Sequence, residues 1–252
     1  LSHLLAVSGL HTGIVFALVN LLLWWLPLLR RGHLLRNLLA AACIWIYVAA
    51  AGFPPSAVRA AVMFTMLQSA LASASEYNGL NALAAAAFGM LLWNPAWLGD
   101  ISFQLSFAAV AAILAWGVPL CRRLRTRRRA LNPITDALAV SLAATLATAP
   151  LVSHTFGIVP LAGVVVNPAA ILLGSVLVLA GALWMLLPVG WAAPAFECVL
   201  SHTAEGLNAL ARVTADLPCA AAEYTLGGGA TAAVYLFFAL ATVAAWSAEP
   251  KK

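Results

Sequence analysis

Apolar residues fill most of this chain in long, unalternating runs, separated by short clusters of Arg, Pro, Gly, Asn and Asp. Runs of roughly 20 apolar residues match a hydrocarbon layer about 30 Å thick, and such a layer admits helices but no open strands. The pattern predicts about eight spans. The first runs His11–Leu29 and ends at Arg30, Arg31, His33 and Arg36; the second, Leu35–Ala51, stops at Gly52-Phe53-Pro54-Pro55. The third, Ser56–Ser73, carries Arg59 near its start, and polar residues 75–79 separate it from the short fourth, Leu80–Trp93, closed by Asn94-Pro95. The fifth, Ile101–Val118, follows Asp100 and leads into Arg122, Arg123, Arg125, Arg127, Arg128 and Arg129. The sixth covers Ile134–Val152, with a loop expected over Ser153–Val159. The seventh, Leu161–Leu187, is expected to break at Asn167-Pro168, and the eighth covers Ala230–Trp246.

Two segments depart from this rhythm. Leu1–Leu10 is too short to span and is expected to dip into the bilayer or lie on it before a turn at Ser8-Gly9. Over Pro194–Leu217, Phe196, Val199, Leu200, Leu207, Leu210 and Leu217 share one helical stripe, and Glu197, Ser201, His202, Glu205, Asn208, Arg212 and Asp216 another. That is an amphipathic helix, read as lying in the membrane interface. The expected fold class is therefore all-α: a polytopic membrane bundle of about eight spans with broken or re-entrant helices and one interfacial helix.

Composition leaves no room for a water-soluble alternative. Of 252 residues, 64% are hydrophobic and 8% charged, against about 25% charged in a soluble domain. The basic loops at Arg30–Arg36 and Arg122–Arg129 follow spans one and five, so both fall on one side, cytoplasmic by the positive-inside rule. Leu1 and Lys252 are then outside, although Lys251 and Lys252 weigh mildly against that end. The chain starts at Leu1 without Met and is read as a segment of a longer protein. Four scattered cysteines show no metal spacing.

Candidate chemistry lies where the apolar runs are interrupted. His3, Ser8 and His11 cluster with Thr12 near the first turn; Arg59 follows the Pro pair; Asn81 opens the fourth span; Asp100, Gln104 and Ser106 crowd the start of the fifth; His154 and Asn167 sit at later interruptions. Ionisable groups at membrane depth cost about 2.5–3.5 kcal/mol or more, so they face the bundle interior or water. Each has a plainer reading: Asp100 as an N-cap, Arg59 snorkelling to an interface, Asn81 and Asn167 as interhelical glue. Taken jointly, polar groups at several helix breaks suggest a lined pathway. No phosphate-binding Gly-rich loop and no His-Glu-x-x-His helix occur, so neither a nucleotide engine, an enzyme, a metal nor a cofactor is expected. A small-molecule transporter or flippase, and an intramembrane hydrolase or transferase around His3, Ser8 and His11, remain the alternatives.

Several stretches together resemble the ComEC competence family. They are LSHLLAVSGLHTG (Leu1–Gly13), GFPPSAVRAA (Gly52–Ala61), Leu80-Asn81-Ala82-Leu83, Asn94-Pro95, DISFQLSFAAV (Asp100–Val110), PLVSHTFG (Pro150–Gly157) and the region around Asn167. Pro168 directly after Asn167 departs from the family's pattern. The resemblance implies one transmembrane competence domain over 1–252, without the OB-like and metallo-β-lactamase-like domains that flank it in full-length members. It implies an inner-membrane channel passing single-stranded DNA from the periplasmic side to the cytoplasm during natural transformation. His3, Ser8, His11, Arg59, Asn81, Asp100, Gln104, Ser106, His154 and Asn167 are then the candidate pathway residues, with Phe53, Phe103 and Phe107 as candidate base-stacking rings. The Arg122–Arg129 run is read first as a topology signal, and second as a guide for the emerging strand or for anionic lipid. Implied partners are membrane lipid, a periplasmic DNA receptor, a cytoplasmic DNA-dependent ATPase and strand-binding proteins. The last two would supply the pull for which the chain shows no motor.

Overall fold

A computed structural model describes residues 9–25, 32–72, 78–126, 131–159, 161–186, 190, 193–217 and 221–247. The described chain is helical, with one two-stranded exception. In order come α1 (Gly9–Leu22), α2 (Gly32–Ala50), α3 (Pro55–Ala72), α4 (Gly79–Trp93), a 3-10 turn (Pro95–Gly99), α5 (Ile101–Leu124), α6 (Asn132–Phe156), β1 (Ile158–Val159), α7 (Gly163–Leu186), α8 (Ala193–Asp216), β2 (Ala222–Glu223) and α9 (Gly228–Ser247). By length and composition, α5, α6 and residues Gly163–Met185 of α7 can each cross a membrane. Shorter apolar helices lie at His11–Leu22, Leu35–Ala50, Gly79–Trp93 and Gly228–Ala244. This is an all-α membrane protein.

The chain divides into two compact units: residues 1–107 with 169–211, and residues 108–168 with 212–252. In the first, α1, α2 and α3 pack on one another, and α4 packs on α3. Its core is built on small residues: Ala40, Ala57, Ala60, Ala61, Ala82 and Ala86 are buried, with Ile44, Val48 and Met90 between them. Small side chains bring helix backbones close where lipid supplies no hydrophobic drive. Large apolar groups point outward instead, Phe88 at 72%, Leu92 at 74% and Trp93 at 85% exposure, an arrangement that suits hydrocarbon. In the second unit, α6 packs against the middle of α5 and against α9. Gly117, in a π-helical stretch at Ile113–Gly117, sits against the Ala143 side chain.

Several breaks have identifiable causes. The α2–α3 corner is a Schellman stop: Gly52 at φ +80 donates to Ala49 O, and Phe53 at φ +55 donates to Val48 O, both at 3.0 Å. Pro55 then opens α3 at the position where its missing N–H costs nothing. Asn94 ends α4 and caps the 3-10 turn through Ala96 N at 3.1 Å.

Other expectations shift. The expected loop Ser153–Val159 is helical to Phe156, because Gly157 at φ +70 supplies the left-handed stop only there. The fifth span continues to Leu124, so Arg122 and Arg123 form its last turn, a favourable place for cations. No break occurs at Asn167-Pro168; α7 runs through it. Pro168 lies in the second turn, where it deprives only the Val164 carbonyl of an N–H, near a helix start that can adjust. The dip expected at Leu1–Leu10 falls largely outside the described residues. The Pro194–Leu217 segment is the single helix α8 with the strongest amphipathic pattern of the chain.

Candidate functional site: a buried guanidinium between α1, α3 and α5

Helices α1, α3 and α5 meet in one cluster of the first unit, through Gly9, Arg59 and Ser106. The Pro54-Pro55 start places Arg59 in the opening turns of α3, where it is buried to 8% exposure. Its Nε donates to Ser106 Oγ at 2.7 Å, its Nη1 approaches Met63 Sδ at 3.9 Å, and its guanidinium carbon lies 5.9 Å from the Phe107 ring centre. A Cβ added to Gly9 would lie 2.8 Å from Arg59 Nη2. Gly9 is therefore the residue that lets the guanidinium reach α1.

The DISFQLSF stretch builds the other wall. Asp100 is the N-cap of α5, its Oδ1 accepting from Phe103 N at 3.0 Å. Gln104 Nε2 donates to Leu98 O at 2.7 Å and ties the 3-10 turn to α5. These two fix the first turns of α5, which present Ser106 and Phe107 to Arg59. Phe103 is buried and packs on Phe107 with ring centres 4.3 Å apart.

Electrostatically the cluster is one-sided. The first unit contains four carboxylates, Glu76, Asp100, Glu197 and Glu205; Glu76 lies outside the described residues, Asp100 caps α5, and Glu197 and Glu205 are exposed on α8. Among the described residues, the contacts of Arg59 are a hydroxyl, a thioether and a ring face, all neutral. Helix starts carry partial positive charge and aim N–H groups at anions, and Arg59 sits in the opening turns of α3, bonded to Ser106 in the second turn of α5. A buried, uncompensated cation is costly. The arrangement has the chemistry of an anion site that holds its ligand through few contacts.

The remaining candidates are placed as follows. His11 is half-buried on α1, one residue before the fully buried Thr12. Asn81 is exposed on α4, where the capping is done by Asn78 through Leu80 N and Asn81 N. His3 and Ser8 lie outside the described residues, as do Arg127, Arg128 and Arg129. Arg122, Arg123 and Arg125 are exposed. Phe53, half exposed, lines an apolar cavity of about 590 Å³ with Trp45, Trp93 and Trp97.

His154 and Asn167 belong to the second unit. His154 is in the last turn of α6 with Nδ1 2.8 Å from Leu226 O, beside Ser153, which is fully buried and donates to Tyr224 O. Tyr224 N in turn donates to Gly157 O at 2.9 Å, next to the β1–β2 pair. The PLVSHTFG stretch thus clamps residues 222–226 to the end of α6. Asn167 is exposed on α7.

Two features differ from the sequence pattern or leave little trace in it. Gly9, expected in a turn with Ser8, is already helical in α1, and its part in the site is a close approach to Arg59. Asn20, Asn37 and Gln68 form a polar cluster with Arg36 between α1, α2 and α3. Their signal was amides near the ends of apolar runs.

Comparison with known proteins places this architecture. ComE operon protein 3 of Bacillus subtilis (strain 168) is 30% identical over 154 residues, which is 61% of this chain and 19% of that protein. The match thus takes in about a fifth of that relative's length. No solved structure matches the chain. A family model described as Competence protein matches residues 1–249, nearly the whole chain, so the chain belongs to the competence protein family.

Proposed function

We propose that this chain is the membrane core through which one strand of DNA passes from the periplasmic side of the bacterial inner membrane to the cytoplasm. The observation that carries the reading is Arg59: a buried cation in the opening turns of α3 whose described partners are all neutral. A phosphodiester is the anion that family membership brings to such a site. Conduction needs binding favourable enough to enter and weak enough to leave. One guanidinium with a single strong neutral bond meets that demand better than a ring of arginines. Phe107 beneath the guanidinium, packed on Phe103, offers a ring face to a base as its phosphate passes. The pull comes from outside the chain, from a cytoplasmic DNA-dependent ATPase and strand-binding proteins, with a periplasmic receptor delivering the strand. Eight crossings, with both basic loops cytoplasmic, complete the topology.

The test replaces Arg59 in the natural protein and follows uptake of labelled DNA into competent cells, with membrane insertion checked by protease protection. Arg59→Ala is expected to lower uptake at least ten-fold with insertion intact, and Arg59→Lys to retain part of it, since Lys keeps the charge but not the fork geometry. Wild-type uptake by both Arg59→Ala and Ser106→Ala would overturn the reading.

A further inference from the structure

A second arginine in the first unit is presented in the same manner, at the opposite ends of the same helices. Asn20 lies in the last turn of α1, Arg36 in the second turn of α2, and Gln68 near the end of α3. Asn20 Oδ1 accepts from Arg36 Nη2 at 2.9 Å and from Gln68 Nε2 at 3.1 Å, while Asn20 Nδ2 donates to Phe16 O at 2.9 Å. Asn37 Nδ2 reaches Gln68 O at 3.4 Å, and Gln68 is 3% exposed. Asn20 Oδ1 already serves two donors, and Arg36 Nε is buried with no partner. A buried unsatisfied donor on a charged group is expensive, so the Arg36 guanidinium calls for an acceptor that the described residues do not supply.

The missing acceptor carries negative charge, because the group left short is a guanidinium, and two oxygens on one centre suit its fork. A phosphodiester meets both conditions. Along α3, Arg59 and Gln68 are nine residues apart, about 13–14 Å at 1.5 Å per residue. The Phe16–Phe64 stack, with ring centres 4.5 Å apart, lies between these two levels. Residues Arg30, Arg31 and Arg36 all belong to the basic stretch that marks the cytoplasmic side.

We propose that Arg36, held by Asn20 and Gln68, is a second phosphodiester site for the strand, on the cytoplasmic side of the unit whose other end holds Arg59. This rests on the strand-passage reading above and adds a position at which the strand is held before release.

The experiment uses the protein in nanodiscs of neutral lipid, with and without phosphatidylglycerol, and a fluorescent 20-mer of thymidylate as probe. Affinity is read by anisotropy across a salt series. Arg36→Gln removes the charge but keeps a side chain that can bond Asn20. It is expected to weaken binding roughly ten-fold and to flatten the log–log salt dependence by about 0.7, the share of one phosphate contact on a single strand. Asn20→Asp gives Arg36 a carboxylate partner at the same position and is expected to weaken the probe likewise. Native mass spectrometry of the same samples counts retained phosphatidylglycerol. An unchanged salt slope in both variants, with Arg59→Gln still lowering it, would overturn this site and leave the strand-passage reading standing. Loss of a bound phosphatidylglycerol in Arg36→Gln, with probe affinity unchanged, would also overturn it, since the site would then belong to lipid. Failure of the unsubstituted protein to bind the probe at all would remove both.

Discussion

Replacing Gly9 by Ala separates function from folding at the Arg59 site. The added Cβ would stand 2.8 Å from Arg59 Nη2, while an ordinary contact begins at 3.4 Å, so the two groups must part by at least 0.6 Å. Arg59 has little room to give: Phe107 and Met63 flank it, and it is 8% exposed. The end of a flexible side chain gives way easily in open space, but the Arg59 guanidinium, hemmed in by Phe107 and Met63, is expected to swing away from α1 and to lose its Nε bond to Ser106, now 2.7 Å long. A hydrogen bond to a charged group is worth about 1.5–3 kcal/mol, or roughly 10–100-fold in an equilibrium at 1.4 kcal/mol per decade. Against this, Ala in place of Gly in a helix returns up to about 1 kcal/mol. Gly9→Ala is thus expected to lower DNA uptake by about 10–100-fold, while the melting temperature of the solubilised protein moves by only a few degrees. Gly13→Ala is the control, since its Cβ would meet Phe64 at an ordinary 3.6 Å; its uptake is expected to equal that of the unsubstituted protein. The reasoning fails if Gly9→Ala takes up DNA normally, or if its lost uptake only follows lost folded protein.

Substitutions at three further positions test the cap of α5 and the end of α6. Asp100→Asn retains a good N-cap for α5 and is expected to keep near-normal uptake, whereas Asp100→Ala gives up about 1 kcal/mol of capping; thermal melting beside uptake checks both, and strongly impaired uptake in a well-folded Asp100→Asn protein would give the charge itself a role. Ser153→Ala leaves Tyr224 O without its buried donor and is expected to cost about 1–3 kcal/mol, read as faster protease cleavage within residues 221–227. Gly157→Ala puts a Cβ on a residue at φ +70, 3.0 Å from Thr225 Cγ2; it is expected to destabilise the second unit by about 1–2 kcal/mol, visible as a lower melting temperature, and an unchanged value would contradict the left-handed assignment.

What could be read from the sequence followed from what leaves a one-dimensional trace. Helix stops such as Gly52-Phe53-Pro54-Pro55 and Asn94-Pro95 are local chemistry, so they lie within a residue or two of where the pattern puts them. Asp100 was legible both as a site residue and as an N-cap, and the geometry gives it the cap. Pro168 misled because a proline marks a break only where the helix has no freedom to absorb it. Arg59 with Ser106 was legible as two polar residues near span starts, but their meeting spans 47 positions and depends on how α3 and α5 pack. Gly9 was invisible for the opposite reason: its role is the absence of a side chain at one close approach. The amide cluster around Arg36 joins three helices through Asn20 and Gln68, and no local spacing encodes that.

A strand in transit that passes Arg59 can be caught there. A biotinylated single strand is stalled at its trailing end by streptavidin and carries 4-thiothymidine along its leading part; after illumination, cross-linked peptides are mapped by mass spectrometry. Cross-links are expected in the peptides around Gly9–Gly13, Ser56–Met63 and Phe103–Phe107, reduced when Arg59 is changed to Ala. Cross-links confined to other helices, with these three segments unlabelled, would rule out passage at Arg59.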